Sequence, residues 1–261
     1  MKTALVFLIM CLTSLMAIES MAQNKNYTTK VIAHRGAWKN TGATENSLAA
    51  LQHAIELGCY GSEFDVHMSA DSVLFVLHDH SIQGISIEKS NAAELRRIKL
   101  KNGETLPTLE SYLKAGKQKR TRLILEIKTS QISKAHTLAL TTKCVDMVAQ
   151  ENVKDITDYI SFSFEACLKV KELDPDASVS YLTADKSPAE VAAAKLGGID
   201  YAITAFKKNE NWLEEARKEK ITSNVYTVND EKTMQWFLDR KIDFITTNEP
   251  ELLIKLLQEG K

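Results

Sequence analysis

Lys30-Val31-Ile32-Ala33-His34-Arg35-Gly36 is the stretch from which the fold can be read. A short apolar run leads into a histidine, a cation and a glycine. Runs of this kind form buried strands, so the polar groups that end them sit at the rim of a sheet. Seven further β-rich runs follow: Gly61–Val66, Arg122–Ile127, Tyr159–Ser163, Ser178–Leu182, Tyr201–Ile203, Thr222–Val228 and Phe244–Thr246. Segments of helical period separate most of them, at Ser47–Leu57, Ala135–Gln150, Phe164–Leu173, Pro188–Leu196, Asn211–Lys220, Glu231–Arg240 and Pro250–Gln258. Strand-then-helix repetition implies parallel strands covered by helices. Eight such strands in 261 residues imply an α/β fold of the closed (β/α)8 TIM-barrel kind. An open doubly wound sheet would carry a glycine-rich turn after its first strand, which this sequence lacks.

Local signals set the boundaries. Asn46 or Thr44 is expected to cap the first helix and Gly58 to end it. Ser187-Pro188 reads as a cap followed by a first-turn proline, and Gly197-Gly198 as the stop. The alternation breaks at Ser69-Ala70-Asp71-Ser72, a turn signal that implies a β-hairpin of Glu63–Met68 and Val73–His78 after the second barrel strand. A turn centred between Ala70 and Asp71 would set His78 opposite Glu63. Residues 81–108 then form a small insertion, with a helix over Asn91–Ile98.

The N-terminus reads as a signal peptide over residues 1–22. Lys2 supplies a positive start, Ala4 to Ile18 is apolar, and Ser20-Met21-Ala22 presents the small residues that signal peptidase reads. The apolar stretch is too short for a comfortable membrane span, and Glu19 ends it early, which argues against an uncleaved anchor. The expected mature chain, residues 23–261, is a single barrel domain with no stable membrane span. It is exported, to the periplasm rather than the medium. It would keep Cys59, Cys144 and Cys167, an odd number in apolar surroundings, which read as small buried hydrophobes with room for one disulfide at most. The formal net charge is -1 and no basic block occurs, so nucleic acid is excluded as a partner and any anion must be held by a few placed residues.

The strand ends carry the chemistry. Glu63 and Asp65 are two apart, so they share one face of a strand. Taken alone, Glu-x-Asp is more often a pair of ordinary surface acids. Glu126 changes the weighting, because it ends the apolar run Leu123-Ile124-Leu125 and belongs at the same rim. Three buried carboxylates need a cation, and all-oxygen ligation favours Ca²⁺ or Mg²⁺ over zinc. His34 and His78 suit acid–base work near neutral pH. Arg35 matches an anion bidentately, and Gly36 lets the backbone turn beside it. Lys128, two beyond Glu126, is either a phosphate-binding ammonium or a simple surface partner of that carboxylate. Trp38 and Tyr226 could wall a cleft, whereas Trp212 and Trp236 belong to helix packing. His53, His67, His80 and His136 read as incidental, with His67 expected to face away from Glu63 and Asp65. Together these groups describe metal-assisted cleavage of a phosphodiester.

The motifs His34-Arg35-Gly36, Glu45-Asn46, Glu63-Phe64-Asp65, His78-Asp79 and Glu126-Ile127-Lys128, in this order, resemble the glycerophosphodiester phosphodiesterases, a branch of the phospholipase-C-like barrel phosphodiesterases. Later pieces agree: Ser161-Phe162-Ser163-Phe164, Val225-Tyr226-Thr227-Val228-Asn229 and Ile245-Thr246-Thr247-Asn248-Glu249-Pro250. The resemblance implies one divalent cation on Glu63, Asp65 and Glu126, His34 and His78 as the acid–base pair, and Arg35, Glu45 and Lys128 against the phosphate and glycerol. It implies a small-molecule glycerophosphodiester as substrate, cleaved to sn-glycerol 3-phosphate and an alcohol. The sequence departs from the family's pattern at several points. Val73–Leu77 lacks a common proline, and His80-Ser81-Ile82-Gln83-Gly84 replaces a threonine- and arginine-rich stretch. Tyr226 stands for a common Trp, and Asn248 for a common Asp. These changes bear on head-group preference. Alternative readings are a related barrel phosphodiesterase for phosphoinositide or sphingolipid-type substrates, a non-catalytic envelope binding protein, and a sugar-active barrel.

Overall fold

The computed structural model describes residues 27–119 and 121–260, so the expected signal peptide lies outside the described residues. Eight strands run parallel: β1 (Lys30–Ala33), β2 (Gly61–Met68), β6 (Arg122–Ile127), β7 (Thr157–Ser161), β8 (Ser178–Tyr181), β9 (Gly198–Ala202), β10 (Thr222–Tyr226) and β11 (Phe244–Thr247). Each pairs with the next, and β1 pairs with both β2 and β11, so the sheet closes into a barrel. The helices form the outer layer: α1 (Leu48–Glu56), α3 (Leu109–Lys119), α4 (Lys134–Gln150), α5 (Phe164–Leu173), α6 (Pro188–Ala193), α7 (Ile203–Lys208), α8 (Trp212–Glu219), α9 (Glu231–Asp239) and α10 (Pro250–Glu259).

Period two divides each strand between two cores. Val31, Leu123, Leu125 and Val179 pack outward under the helices, in the large core between sheet and helix layer. Ile32, Ile124, Ile160 and Leu182 fill the barrel itself. The same parity turns Glu63, Asp65 and Glu126 inward, because Glu63 pairs with Ile124 and Asp65 with Glu126. Gly61 pairs with Ile32 on that inner face, where a Cβ would stand 2.4 Å from Ile124 Cδ1.

Two expectations about β2 need correction. Its partner β3 (Leu74–Val76) is antiparallel as expected, but Val66 pairs with Val76, one residue away from the anticipated register. His78 is therefore not a strand residue opposite Glu63. The five-residue turn from Ser69 to Val73, with Ser72 at φ 67, sets the register. Second, His67 does not face away from the carboxylates. It is four residues past Glu63, so the parity that joins Glu63 to Asp65 puts His67 on their side.

The insertion holds a two-stranded hairpin, β4 (Ser81–Ile82) with β5 (Ile85–Ser86), and α2 (Ala92–Leu95), shorter than the expected Asn91–Ile98. It has its own small core around Phe75, Ile87, Leu95 and Leu106. Ser47, not Asn46 or Thr44, caps α1 by accepting from the Ala50 amide. Helices α3 and α7 were not expected. In α3, Gly116 interrupts the helical pattern because the helix crosses tight against Leu123. Among the described residues Cys59, Cys144 and Cys167 are buried and unpaired in disulfides. Among the described residues no helix is long and apolar enough to cross a membrane.

Candidate active site

The carboxyl ends of β1, β2 and β6 deliver the charged groups. One oxygen each from Glu63, Asp65 and Glu126 falls within 4.8 Å of the others, and the three residues are 2%, 1% and 7% exposed. At that spacing two ionised carboxylates repel by roughly 3–4 kcal/mol with an effective dielectric near 20. Two cations answer the three charges. Lys128 Nζ lies 3.0 Å from Asp65 Oδ1 and 2.8 Å from Glu126 Oε1. Arg35 Nε lies 3.8 Å from Asp65 Oδ2, while its Nη1 donates to Glu45 Oε2 at 2.9 Å.

The ionisation pattern follows. Burial raises Glu63 well above the ordinary range, and the charges of Asp65 and Glu126 add to it. Burial and then Asp65 push Glu126 up to about 7. Burial also acts on Asp65, but Lys128, His78, Asn46 and Arg35 outweigh it and hold that carboxyl low. Lys128 is raised by Asp65 and Glu126 in spite of its own burial. Without a further cation the cluster keeps protons on its glutamates. Glu63 Oε1 is buried with no hydrogen-bond partner among the described residues. An unpaired carboxylate oxygen among three convergent carboxylates is the donor set of a hard divalent ion.

His34 closes the group from β1. Its Nε2 is 3.9 Å from Glu63 Oε2, and its Nδ1 donates to Asn248 Oδ1 at 2.8 Å. Burial first, and Arg35 next, pull this imidazole down to about 4, so it is neutral at physiological pH. Arg35 itself occupies the left-handed region at φ 57, which turns its amide onto Glu63 Oε2 at 2.8 Å. Gly36 follows at φ 79 because a Cβ there would stand 2.6 Å from Ala50 of α1. His78 comes from the loop after β3, half exposed, with Nδ1 2.7 Å from Asp79 Oδ1. The Leu77 amide donates to the Asp65 carbonyl at 3.0 Å, which anchors the loop that bears His78 beside the cluster.

Tyr226 stands across the barrel mouth, edge-on to the exposed Phe162 at 5.9 Å, and its hydroxyl donates to the Leu182 carbonyl at 3.4 Å. A cleft of about 790 Å³ opens beside Glu45, between Trp38 and the insertion residues Ser81 to Gln83. Three residues of the site escaped the sequence reading as functional groups. Asn46 clamps Asp65, donating to Oδ2 at 2.9 Å and accepting from the Asp65 amide at 3.2 Å. Asn248 orients His34. Asp200, on the inner face of β9, accepts from Asn224 at 2.9 Å and is pushed up to about 8 by burial. Its parity was readable, but the expected strand began at Tyr201, three residues after β9 begins at Gly198, and so left Asp200 out.

The chain matches the sequence profile of the glycerophosphoryl diester phosphodiesterase family over residues 34–252, a span that takes in His34, every carboxylate of the cluster and Asn248. It belongs to that family. Membership agrees with the resemblance carried by the rim motifs. Among solved structures the chain is similar to a glycerophosphodiester phosphodiesterase from Parabacteroides distasonis, at 42% identity and a TM-score of 0.87, covering 89% of this chain and 98% of that one. A glycerophosphodiester phosphodiesterase from Caldanaerobacter subterraneus is 25% identical over 248 residues, 89% of this chain and 99% of its own. A phosphodiesterase from Oleispira antarctica, solved with its product sn-glycerol-3-phosphate, shares the fold at a TM-score of 0.78 and 22% identity, over 88% of this chain and 97% of that one.

Proposed function

We propose that this protein hydrolyses glycerophosphodiesters to sn-glycerol 3-phosphate and an alcohol, with a divalent cation, Ca²⁺ or Mg²⁺, held by Glu63, Asp65 and Glu126. The observation that supports the reading is the convergence of three buried carboxylates, His34, Arg35 and Lys128 at one barrel mouth. When bound, the cation would offset charge on a phosphate oxygen and orient the glycerol hydroxyls. Arg35 and Lys128 supply positive charge to the remaining phosphate oxygens as the transition state spreads its charge outward.

His34 is the general base. Its Nδ1–H is held by Asn248 and the ring is neutral, so Nε2 keeps a lone pair on the carboxylate side. His78 is the general acid, its ring oriented by Asp79, and it protonates the departing alkoxide. The nucleophile that His34 deprotonates is water, which gives glycerol 3-phosphate directly, or the substrate's own 2-hydroxyl, which expels the alcohol and leaves a cyclic phosphate that water then opens to the same product. Glu45, on Arg35 and beside the cleft, orients the guanidinium and faces the part of the substrate that enters there.

A panel of glycerophosphocholine, glycerophosphoethanolamine, glycerophosphoinositol and a sphingolipid-type diester tests the reading, with EDTA treatment and metal add-back. Glycerol 3-phosphate should appear only with metal, and His34→Ala or His78→Ala should reduce turnover by about 10²–10⁴-fold while leaving the fold intact. Cleavage of only the sphingolipid-type substrate, or tight binding without cleavage, would replace the proposal with one of its rivals. We also assign the protein to the periplasm, on the reading of residues 1–22 as a cleaved signal peptide. Sequencing the N-terminus of the mature protein checks the expected start at Gln23.

A further inference from the structure

Four groups that take no part in this chemistry meet behind the loop bearing His78. His67 comes from β2, His80 from the start of the insertion, Glu88 from just after β5, and His136 from the first turn of α4. Glu88 Oε2 lies 3.4 Å from His80 Nδ1, and Glu88 Oε1 lies 3.7 Å from His136 Nδ1. The rings of His67 and His80 meet edge to face at 4.8 Å, and one ligand atom each from His67, His80 and Glu88 falls within 4.8 Å of the others. His67 is 1% exposed and Glu88 4%.

The orientation of the rings points to a ligand. His67 Nε2 sits 3.1 Å from the backbone carbonyl of His78, and a carbonyl only accepts, so Nε2 carries the proton. Nδ1 is then the ring nitrogen left to bind a ligand. That Nδ1 is buried with no hydrogen-bond partner among the described residues, and so are the Nδ1 atoms of His80 and His136. A buried polar atom left unpaired is costly, and three in one cluster, two of them beside the same carboxylate, mark a missing common partner. Simple pairing of Glu88 with protonated imidazoles would align N–H groups on its oxygens, and no ring nitrogen of the three makes such a bond. Metal-bound histidines, by contrast, anchor their other ring N–H on a carbonyl or carboxylate, as His67 does. The Gln131 amide, donating to Glu88 Oε2 at 3.2 Å, holds the carboxylate in place.

We propose that His67, His80 and Glu88, with His136 beside them, form a second cation site for an imidazole-preferring transition metal such as Zn²⁺, separate from the all-oxygen Glu63–Asp65–Glu126 site. A mixed set of imidazole nitrogens and a carboxylate oxygen suits Zn²⁺ and is a poor match for Mg²⁺ or Ca²⁺. Tetrahedral bonds of about 2.0–2.1 Å need ligand atoms roughly 3.4 Å apart, so closure moves the side chains by about 1 Å. The ion would tie the insertion, through His80 and Glu88, to β2 and α4. Through His67 it also fixes the carbonyl of His78, which makes the site a positioning device for that loop.

The two sites are separable by hardness. The whole protein, stripped with chelator and kept in excess Mg²⁺, is titrated with Zn²⁺ by calorimetry and with Co²⁺ by visible absorbance. One Zn²⁺ per chain should bind in the presence of Mg²⁺, and Co²⁺ should show the intense d–d bands of a tetrahedral nitrogen–oxygen centre. His80→Ala and Glu88→Gln should each weaken Zn²⁺ binding by about 100-fold, whereas Glu126→Gln should leave it unchanged. His80 is partly exposed, and Glu88→Gln keeps the volume, so circular dichroism should show both variants folded. Absence of Zn²⁺ binding above Mg²⁺ overturns the proposal. So does binding that survives both variants or disappears in Glu126→Gln. The readout is metal binding, so it stands or falls independently of phosphodiesterase activity.

Discussion

Replacing Glu126 with Gln in the cation-free protein measures how much the buried carboxylate cluster opposes folding. In the native chain burial, then Asp65, holds Glu126 at about 7, against an ordinary value of 4.5. Between those two values the folded chain keeps a proton that the unfolded chain has released. Stability is therefore lost as pH rises through that window. For a group with these two pKa values the loss is about 2.5 kcal/mol between roughly pH 5 and pH 8. Other groups titrate in the same range. His34 and His67 are both pulled down to about 4, chiefly by burial, and they contribute stability that grows with pH up to their ordinary 6.5. Their effect is common to both proteins and cancels in a comparison. Asp65, held low, stays ionised throughout.

The assay is urea unfolding of the wild type and Glu126→Gln in EDTA, at matched pH across that range. The variant should gain on the wild type by about 2.5 kcal/mol from the acid to the alkaline end. Adding Ca²⁺ or Mg²⁺ at the alkaline end should return the wild type's stability and do less for the variant, because the cation takes the place of the displaced proton. A stability gap that stays flat across the range refutes the reasoning, since it would mean that Glu126 ionises as freely folded as unfolded.

Three further outcomes follow from the geometry. Asn248→Asp places a carboxylate 2.8 Å from His34 Nδ1, so the acidic limb of the pH–rate profile should move upward by about one pH unit, read from kcat/KM. Gly61→Ala puts a methyl group 2.4 Å from Ile124 Cδ1 and 2.8 Å from the Arg122 carbonyl oxygen, and the carbonyl cannot yield. Thermal unfolding should show a loss of about 1–3 kcal/mol. Arg35→Lys discards the planar fork that reaches Glu45 and Asp65 together, so KM should rise about tenfold with a smaller change in kcat, measured by steady-state kinetics.

Much of the barrel was legible because its signals are local. Period two joins Glu63 to Asp65 and Glu126 to Lys128 whatever the rest of the chain does. Ser187-Pro188 starts a helix by satisfying its own amides, and α6 begins there with the expected cap. The limit of such reasoning shows at the hairpin. Ser72 in the left-handed region extends the turn by one position, and a one-residue change of register reassigns every cross-strand neighbour. Asn46 shows the same limit from another side. Its residue type suits a helix cap, but Ser47 takes that role and Asn46 turns to Asp65, nineteen positions on, as a choice made by packing.

By itself the order of residues determined the alternating elements, the inward parity of the acids and the class of chemistry at the rim, because each depends on spacings of a few residues. Which groups touch was decided only when the barrel closed. Asn248 reaches His34 because β11 pairs with β1, the last strand with the first. His67, His80, Glu88 and His136 meet because the insertion folds back over β2 and the start of α4. The unusual ionisation of Glu63, Glu126 and His34 likewise arises from burial, and burial belongs to the assembled barrel rather than to any short segment of it.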